Sequence, residues 1–582
     1  MTAHLLALTV GPVQEFISAA RRTRDLWFGS YLLSEISKAA AKAVRTNGGK
    51  LIFPAPANDA DLDPDSQLNV ANVIVAEILE SGPATVAQKA KEAARSRWRS
   101  FADPVFSAHQ DIIRADIWND QVNDVIEFYA AWLPYSPQTY QMDRAALMRL
   151  LAARKRCRDF PPARGRAGVP KSSLDGLRES VLRDPRAWPR GPRRRLRLSE
   201  GEQLDVVGMV KRTWARPKET PRYPSVARVA ADPWLWRVWR APESRLDALV
   251  KACRALGSGV VYEIDTSDQR GNPHYAAFPF EGTAVFRSRY REFCREAELS
   301  DSDLRPLITA LGNLTHDYGE PSPYLGVLVA DGDHIGEALS KLQSPDDHRR
   351  FSQALASFAA KSREIVNAHN GVLVYSGGDD VLAFVPIDRC LECARALHDR
   401  FGGALADWSS KTGALTLSVG LAIAHFMEPL EDLRGHARTA EQHAKHPRPE
   451  DSGQHDRNGL AVHLVKRGGG TLAVRANWAA NPDKRLMRLV ELISAEAVSG
   501  GVAYDMRKIA AVYDGSWPEA TIKDAIQRDT LSVMQGKRPL GASRMDEINA
   551  LIQDRVMDAD SLRSLANDLL VAKALAAGAQ SR

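Results

Sequence analysis

The stretch VLVYSGGDDVLAFV, residues 372–385, is the part of the sequence that decides the fold. It holds two β-rich runs, Val372–Tyr375 and Val381–Val385, on either side of a glycine-bearing turn, and this pattern predicts a β-hairpin. Two consecutive glycines allow the chain to turn tightly. The turn ends in Asp379 and Asp380, so the hairpin carries two carboxylates at its tip.

The segments on both sides of this hairpin predict a ferredoxin-like unit. The apolar run Leu325–Ala330 predicts a strand before it, and the run from about Leu415 to Ile423 predicts a strand after it. Asn370 and Gly371 end a predicted helix, because glycine tolerates the left-handed conformation that follows a helix end. Apolar residues recur at helical spacing before and after the hairpin. They are Phe351, Leu355, Phe358, Ile365, Leu430, Leu433, Ala437, Ala440 and Ala444. This order of elements predicts an α+β fold in which helices cover one face of an antiparallel sheet.

The same order of elements occurs a second time, near the N-terminus. There, the apolar run Leu5–Val10 is followed by Gly11, a helix, Gly49 and a second apolar run. Aligning Gly11 with Gly332, and Gly49 with Gly371, gives nearly equal spacings in the two copies. Such self-similarity is typical of a duplicated unit. We therefore predict two related ferredoxin-like units in one chain.

Acidic residues follow the first strand of the second copy as well as its hairpin. Asp331 and Asp333 come directly after this strand, whose end lies beside the hairpin tip in the predicted layout. Carboxylates gathered in one place repel one another unless cations lie between them, and oxygen ligands favour hard ions. Two ions roughly 4 Å apart can activate an attacking hydroxyl and stabilise a leaving phosphate. The pattern predicts a site for two Mg²⁺ or Mn²⁺ ions; its ligands would be Asp331, Asp333, Asp379 and Asp380.

The first copy lacks these carboxylates. It has Val10 and Pro12 at the positions of Asp331 and Asp333, and Phe53–Pro56 where the second copy has the acidic turn. We therefore predict one degenerate unit with a structural role and one active unit. A hairpin turn without any metal is the alternative for Gly-Gly-Asp-Asp taken by itself.

The composition is that of an ordinary globular protein. The chain has 582 residues, of which 44% are hydrophobic and 26% are charged, and this length predicts three or four domains. No uninterrupted apolar run reaches the roughly 18 residues that a membrane span needs. Five scattered cysteines are typical of a reducing compartment, so we expect a cytoplasmic protein with no membrane association.

The positive charge of the chain is concentrated in one segment. The formal net charge is +6, yet residues 149–197 contain 16 Lys or Arg against four Asp or Glu. A segment this basic can release counterions from a nucleic-acid backbone. A solvated basic loop is an equally open interpretation.

Short motifs spread from residue 5 to about residue 465 form a specific combination. They are Gly11–Ile17, Thr23–Trp27, Gly29–Ser30, Asn69–Asn72, Gly201–Leu204, Lys211–Arg212, Asp331–Asp333 and Gly377–Asp380. This combination resembles the large, polymerase-like subunit of type III CRISPR effector complexes in its Cmr-module, or III-B, form. The acidic turn alone would also fit a nucleotide cyclase.

The resemblance implies two polymerase-like palm domains and a nucleotidyltransferase. Such an enzyme makes cyclic oligoadenylates from ATP when its complex holds target RNA, and the implied partners are guide RNA, target RNA and other Cmr-type subunits. Asp331, Asp379 and Asp380 would be catalytic and bind metal. The implied nucleotide-contacting positions are Gly332, Ser376, Gly377, Gly378 and Lys445. A cation that favours a helix C-terminus is an equally open interpretation of Lys445, and Ser376 could instead only cap the turn.

The sequence departs from the family pattern in two places. Many members carry an HD nuclease domain before the first palm, whereas this sequence opens on the palm, so we expect no intrinsic DNase activity. The zinc knuckle of the family's helical domain is also missing, because residues 171–176 read Lys-Ser-Ser-Leu-Asp-Gly. Cys390 and Cys393 lie in a helical pattern typical of a core, and the six histidines between residues 425 and 463 fall mostly on a polar helix face or in loops. We therefore expect no zinc.

Together these patterns predict four domains. They are a degenerate palm at 1–145, a basic and mostly helical middle domain at 146–315, a catalytic palm at 316–475 and a C-terminal helical bundle at 476–582. Two other functions stay open on the sequence alone. One is a nucleotide-binding scaffold of the same complex that catalyses nothing, and the other is a free-standing nucleotide cyclase.

Overall fold

The computed structural model contains both helices and strands, and the strands form two sheets. This confirms the predicted α+β class. None of the described helices combines the length and the apolar composition that crossing a membrane requires. The residues that the structure describes are 3–66, 68–80, 82–157, 165–184, 198, 201–214, 223–241, 246–257, 260–264, 272–291, 294, 299–448, 451, 454–499, 501–515, 519–537 and 542–579.

The N-terminal part of the chain forms an antiparallel sheet in the order β2-β3-β1-β4. Its strands are β1 (His4–Gly11), β2 (Gly49–Phe53), β3 (Val73–Ile78) and β4 (Glu127–Pro134). The helices of this part are α1 (Gln14–Ser18), α2 (Thr23–Thr46), α3 (Pro83–Ala108), α4 (Ala115–Asp124) and α5 (Tyr140–Arg156). Leu6 and Leu8 of β1 pack towards α2 and α3, while Leu5 and Ala7 pack towards α5. The strand is therefore buried on both faces, and period-two alternation sends successive side chains into two cores.

The described residues in the middle of the chain form helices that are joined by turns and isolated β-bridges. Its helices are α6 (Val206–Thr213), α7 (Val226–Arg240), α8 (Leu246–Leu256), α9 (Pro273–Ala277) and α10 (Asp301–Tyr318). In the basic segment, residues 158–164 and 185–197 lie outside the described residues. How this segment meets a nucleic acid therefore stays a prediction.

The second sheet has the order β10-β9-β8-β5-β7-β6. Its strands are β5 (Tyr324–Gly332), β6 (Val372–Ser376), β7 (Val381–Pro386), β8 (Leu417–His425), β9 (Gly459–Leu464) and β10 (Leu472–Asn477). The accompanying helices are α11 (Ile335–Lys341), α12 (Pro345–Ala368), α13 (Cys390–Ala404), α14 (Ala406–Thr412) and α15 (Leu430–Lys445). Asn370, at φ 56°, takes the left-handed position after α12 that the sequence assigned to Gly371.

The C-terminal part contains helices where it is described. They are α16 (Pro482–Ser494), α17 (Val502–Val512), α18 (Glu519–Lys537), α19 (Ala542–Arg555) and α20 (Ala559–Ala579). Apolar residues of these helices share one core with β5, β7, α12 and α13. The C-terminal helices are thereby packed onto the second sheet.

The first four strands of the two sheets have the same topology. The order β2-β3-β1-β4 of the first sheet recurs as β6-β7-β5-β8 in the second, and all these pairs are antiparallel. Thr9 is the last residue of β1 opposite β3, where it faces Val73, and Ala330 is the last residue of β5 opposite β7. Val10 thus holds the position of Asp331, as the sequence alignment predicts.

The connection that follows β2 differs from the predicted one. Residues 54–72 link β2 to β3, whereas residues 377–380 link β6 to β7. Phe53 lies opposite Val75 as Tyr375 lies opposite Leu382, so Ala55 follows β2 where Gly377 follows β6, as aligned. The far end of the connection differs, because Asn72 precedes β3 as Asp380 precedes β7. The long insertion breaks the sequence alignment beyond β2, because spacing alone cannot show where an insertion ends.

The two units pack on each other in a reciprocal way. Helix α2 of the first unit contacts β6, and helix α12 of the second unit contacts β2. Arg349 Nε of α12 donates to Leu51 O of β2 at 2.8 Å. The end of the second sheet that carries the acidic turn therefore lies against the first unit.

Candidate metal centre

Three carboxylates from two separated segments meet at one end of the second sheet. Asp331 lies near the end of β5, while Asp379 and Asp380 lie in the turn between β6 and β7. One carboxylate oxygen from each residue lies within 4.8 Å of the other two. In the described part of the chain, this is the one group of three or more His, Cys, Asp or Glu side chains placed to hold a metal ion.

Strand pairing and two glycines bring these carboxylates together. Because Ala330 pairs with Val381, Asp331 at the end of β5 lies beside Asp380, the turn residue directly before β7. A Cβ at Gly332 would lie 2.8 Å from Cβ of Asp379, so glycine leaves the space that the turn occupies. Gly378 has φ +99°, a conformation that other residues rarely adopt.

Burial and mutual repulsion shift the pKa values of the carboxyls. Burial raises the pKa of Asp379 to about 6, and the charge of Asp331 acts in the same direction. Burial, the hydrogen bond to Asp331 and the charges of its neighbours raise the pKa of Asp380. Burial opposes ionisation of Asp331 too, but hydrogen bonds from Asp380 and Lys445 outweigh it and lower its pKa. Without a cation these shifts favour a proton held between Asp331 and Asp380, and a bound cation would oppose it.

Lys445, the last residue of α15, neutralises part of this charge. Its Nζ pairs with Asp331 Oδ2 and lies 3.0 Å from Glu441 Oε1, one helical turn earlier. Burial lowers the pKa of Lys445, but the hydrogen bond and the charge of Asp331 more than offset this, so its pKa is raised. The side chain therefore reaches the acidic cluster as a cation, and a contact with triphosphate stays a prediction.

The structure does not bring Asp333 into the cluster. Asp333 is fully buried, and its carboxylate accepts hydrogen bonds from Thr416 Oγ1 at 2.7 Å and Ser418 Oγ at 2.9 Å. The backbone N–H of Asn458 donates to it at 3.0 Å. With both oxygens occupied inside the protein, Asp333 links β5 to β8 and to the segment before β9. Its prediction as a fourth metal ligand does not fit this geometry.

The start of the turn is held by backbone hydrogen bonds. Gly377 N donates to Asp380 O at 3.1 Å, across the turn. The hydroxyl of Ser376 is buried without a hydrogen-bond partner, so it does not cap the turn. The carbonyl of Ser376 instead accepts a hydrogen bond from Asn69 Nδ2 of the first unit at 3.2 Å.

Sequence reasoning missed three residues at this site. Glu441 was detectable, because glutamate four residues before Lys445 forms a pair on a helix. Asn69 lay within one of the quoted motifs, but nothing in the sequence indicates that it reaches the other unit. Tyr375 lies beside the turn, where burial and the charge of Asp380 raise the pKa of its hydroxyl.

The two cysteines predicted to lie in a core are buried, and so are two of the six histidines. Cys390 and Cys393 are buried in the apolar core of the second unit. Of the six histidines, most of which were predicted on a polar helix face or in loops, His443 and His463 are buried. His443 Nδ1 lies 3.0 Å from His463 Nε2, and His443 Nε2 lies 2.7 Å from Asp451 Oδ2.

Sequence comparisons match both halves of the chain to one family. Residues 324–456 match the family model for the second palm domain of Cas10/Cmr2, and residues 5–103 match that for the N-terminal part of the CRISPR-associated protein Cmr2. The Cmr subunit Cmr2 of Pyrococcus furiosus is 25% identical over 374 residues, which cover 58% of this chain and 40% of the relative. The Cmr2 subunit of Saccharolobus solfataricus is 32% identical over 79 residues, or 14% of this chain and 7% of the relative. The chain thus matches less than half the length of either relative.

Solved structures share the fold. A chain of the type III-B Cmr-beta complex in its apo state superimposes with a TM-score of 0.67 at 13% identity, covering 99% of this chain and 82% of that chain. For the Cmr-beta complex bound to cognate target RNA the TM-score is 0.61 at 14% identity, covering 91% and 78%. The matches lie in both halves of the chain and include the strands that carry Val10 and Asp331. The chain therefore belongs to the Cas10/Cmr2 family.

Proposed function

We propose that this protein is the large subunit of a type III-B effector complex and joins ATP into cyclic oligoadenylates when the complex holds target RNA. The observation that carries the proposal is the convergence of Asp331, Asp379 and Asp380. A scaffold has no need for a costly cluster of like charges. In this proposal the second unit is the active palm and the first is a degenerate palm.

The donor set fits hard divalent cations. Three carboxylates within bridging distance of one another are the ligands that Mg²⁺ and Mn²⁺ prefer. When bound, such ions supply charge neutralisation and a more nucleophilic hydroxyl. The reaction joins two ATP molecules: the 3′-hydroxyl of one attacks the α-phosphate of the other, and pyrophosphate leaves.

The side chains around the cluster would orient the nucleotide. Lys445 forms an ion pair with Asp331. It would therefore bind the triphosphate of a nucleotide held at the three carboxylates. Gly332, Gly377 and Gly378 carry no side chain and leave room for the nucleotide. Positioning and charge neutralisation are the protein's main contributions to phosphoryl transfer.

The proposed partners follow from the family and from charge. The related Cmr-beta structure contains cognate target RNA, and we propose guide RNA, target RNA and other Cmr-type subunits as partners here. The basic segment 149–197 would contribute to RNA binding. We retain four domains at 1–145, 146–315, 316–475 and 476–582 as part of this proposal.

The test uses the assembled complex with ATP, Mg²⁺ and target RNA. The wild-type complex should release oligoadenylates and pyrophosphate, and replacing both Asp379 and Asp380 by Ala should reduce synthesis by at least about a thousandfold. Asp399→Asn, an exposed change on α13, is the matched control and should leave synthesis unchanged. No product from the wild-type complex would favour the scaffold function, and product without target RNA or partners would favour a free-standing cyclase.

Assembly has to be measured alongside activity. The double variant should enter the complex as well as wild type does, because the turn lies at a cation site rather than in a core. If the double variant fails to assemble, the acidic turn has a structural role and the catalytic assignment is wrong.

A further inference from the structure

The motif Asn69–Asn72 has no part in the proposed chemistry, yet its loop touches the acidic turn. Asn69 Nδ2 donates to Ser376 O at 3.2 Å. Ser376 directly precedes Gly377, the first residue of the turn. The two partners belong to different units and are 307 positions apart in the sequence.

The loop that presents Asn69 is itself anchored to the first unit. Val70 is buried, and its N–H donates to Ser34 Oγ of α2 at 2.9 Å. Asn72 O accepts from Val10 N of β1 at 2.8 Å. Asn69 therefore projects from a loop that is fixed at two positions directly after it.

The acidic turn needs such support from outside. Two consecutive glycines give it little stiffness of their own, and Gly377 N–Asp380 O is the backbone hydrogen bond across it. Repulsion between Asp331 and Asp379 pushes the turn away from β5, while the hydrogen bond from Asp380 to Asp331 holds only the last residue of the turn. A donor on the carbonyl of Ser376 opposes this displacement at the point where the turn begins.

We propose that Asn69 is a positioning residue, through which the first unit fixes the geometry of the acidic turn in the second. The proposal rests on the proposed function of that turn as a catalytic metal site. The first, degenerate unit would then have a defined role, because its long β2–β3 connection carries Asn69, the hydrogen-bond donor. Asn69 acts on the turn and not on the reacting atoms.

Asn69→Ala tests the contact without touching the core, because the residue is exposed. Asn123→Ala is the matched control: Asn123 is also exposed, and its Nδ2 donates to the backbone carbonyl of Asn119 at 2.9 Å. Hydrogen–deuterium exchange of the full chain reports on the turn directly. The amides of residues 377–380 should exchange about fivefold faster in Asn69→Ala, as expected for loss of one hydrogen bond, and at the wild-type rate in Asn123→Ala.

Kinetics of the assembled complex then separate positioning from folding. Asn69→Ala should lower kcat about fivefold, with the KM for ATP within about twofold of wild type and an unchanged melting temperature. Wild-type exchange at residues 377–380, or a wild-type kcat, would overturn the proposal. If the wild-type complex makes no product, the proposed function fails, while the exchange data still decide whether Asn69 holds the turn.

Discussion

A single substitution can test the role of the positive charge of Lys445. Its ammonium pairs with Asp331, one of the three carboxylates that would bind a divalent ion. A metal ion arriving at the cluster must share or displace that contact, since two cations cannot both lie against one carboxylate oxygen without repulsion. Glu441 offers Lys445 a second anion within reach, so the ammonium has somewhere to move.

Replacing Lys445 by Met should therefore have opposite effects on metal and on nucleotide. Without the competing charge, Mn²⁺ should bind the nucleotide-free protein about tenfold more tightly, a change of about 1.4 kcal/mol. ATP should bind more weakly, since the triphosphate loses its cation. Calorimetric titration of the full chain measures both constants.

The matched control is Lys508→Met, a change at an exposed lysine on α17. It should leave both constants at their wild-type values. Weaker Mn²⁺ binding in Lys445→Met would contradict the competition and would show that Lys445 holds the carboxylates in place for the metal.

At the scale of elements, the position of Lys445 depends on how closely α15 approaches β8. A Cβ at Gly420 of β8 would lie 2.0 Å from the backbone nitrogen of Glu441. Backbone atoms cannot move aside as a flexible side chain can, so the helix itself would have to shift. The glycine in this strand is thus required by the helix that carries Lys445.

Gly420→Ala should destabilise the protein by about 1–3 kcal/mol, the usual cost of overpacking. Urea unfolding measures the change. Gly435→Ala on the exposed face of α15 meets nothing within 4 Å, and it should stabilise the protein by up to about 1 kcal/mol through helix propensity. Equal stabilities of the two variants would mean that α15 adjusts freely and is not positioned by β8.

Elements with an apolar pattern were predictable, and elements with buried polar residues were not. The strands around the acidic turn follow from β-rich runs, whereas β9 and β10 carry His463 and Arg475 at buried positions. Arg475 donates to the carbonyl oxygens of His443 and Ala444 in the last turn of α15. The hydrogen bonds of such buried polar groups form only in the assembled fold. A sequence pattern therefore gives no sign that these residues lie inside a sheet.

At the scale of the whole molecule, the duplication was visible in the sequence but the packing of its copies was not. Equal spacings of glycines and strands indicated two units. The contacts between the units join residues far apart in the sequence. Ala55 N donates to Ser352 Oγ at 3.1 Å across 297 positions, and Arg349 pairs with Glu77 across 272 positions. No local pattern encodes such a pair. The same limit explains why Asp331, Asp379 and Asp380 were predictable as one site, while the support from Asn69 was not.

His348 joins the two units and gives their contact a pH dependence. It lies buried on α12, and its Nδ1 lies 2.9 Å from Tyr140 Oη at the start of α5. Burial, together with the charges of Arg144 and Arg349, lowers the pKa of His348 to about 3. In the unfolded chain His348 has the ordinary histidine pKa of about 6.5. Between pH 6.5 and pH 3 the side chain is therefore protonated in the unfolded state and neutral in the folded state.

The free energy of unfolding should therefore fall as the pH drops from about 6.5 towards 3, by roughly 1 kcal/mol per pH unit from this residue. In His348→Gln, whose amide can still accept from Tyr140, this part of the slope should disappear. His316→Gln, at a side chain that is 88% exposed, should keep the wild-type slope. Urea unfolding at several pH values from 7 to 4 gives the three curves. Parallel curves for wild type and His348→Gln would show that His348 is protonated in the folded protein, and then the acid sensitivity of the molecule arises elsewhere than at the contact between its two units.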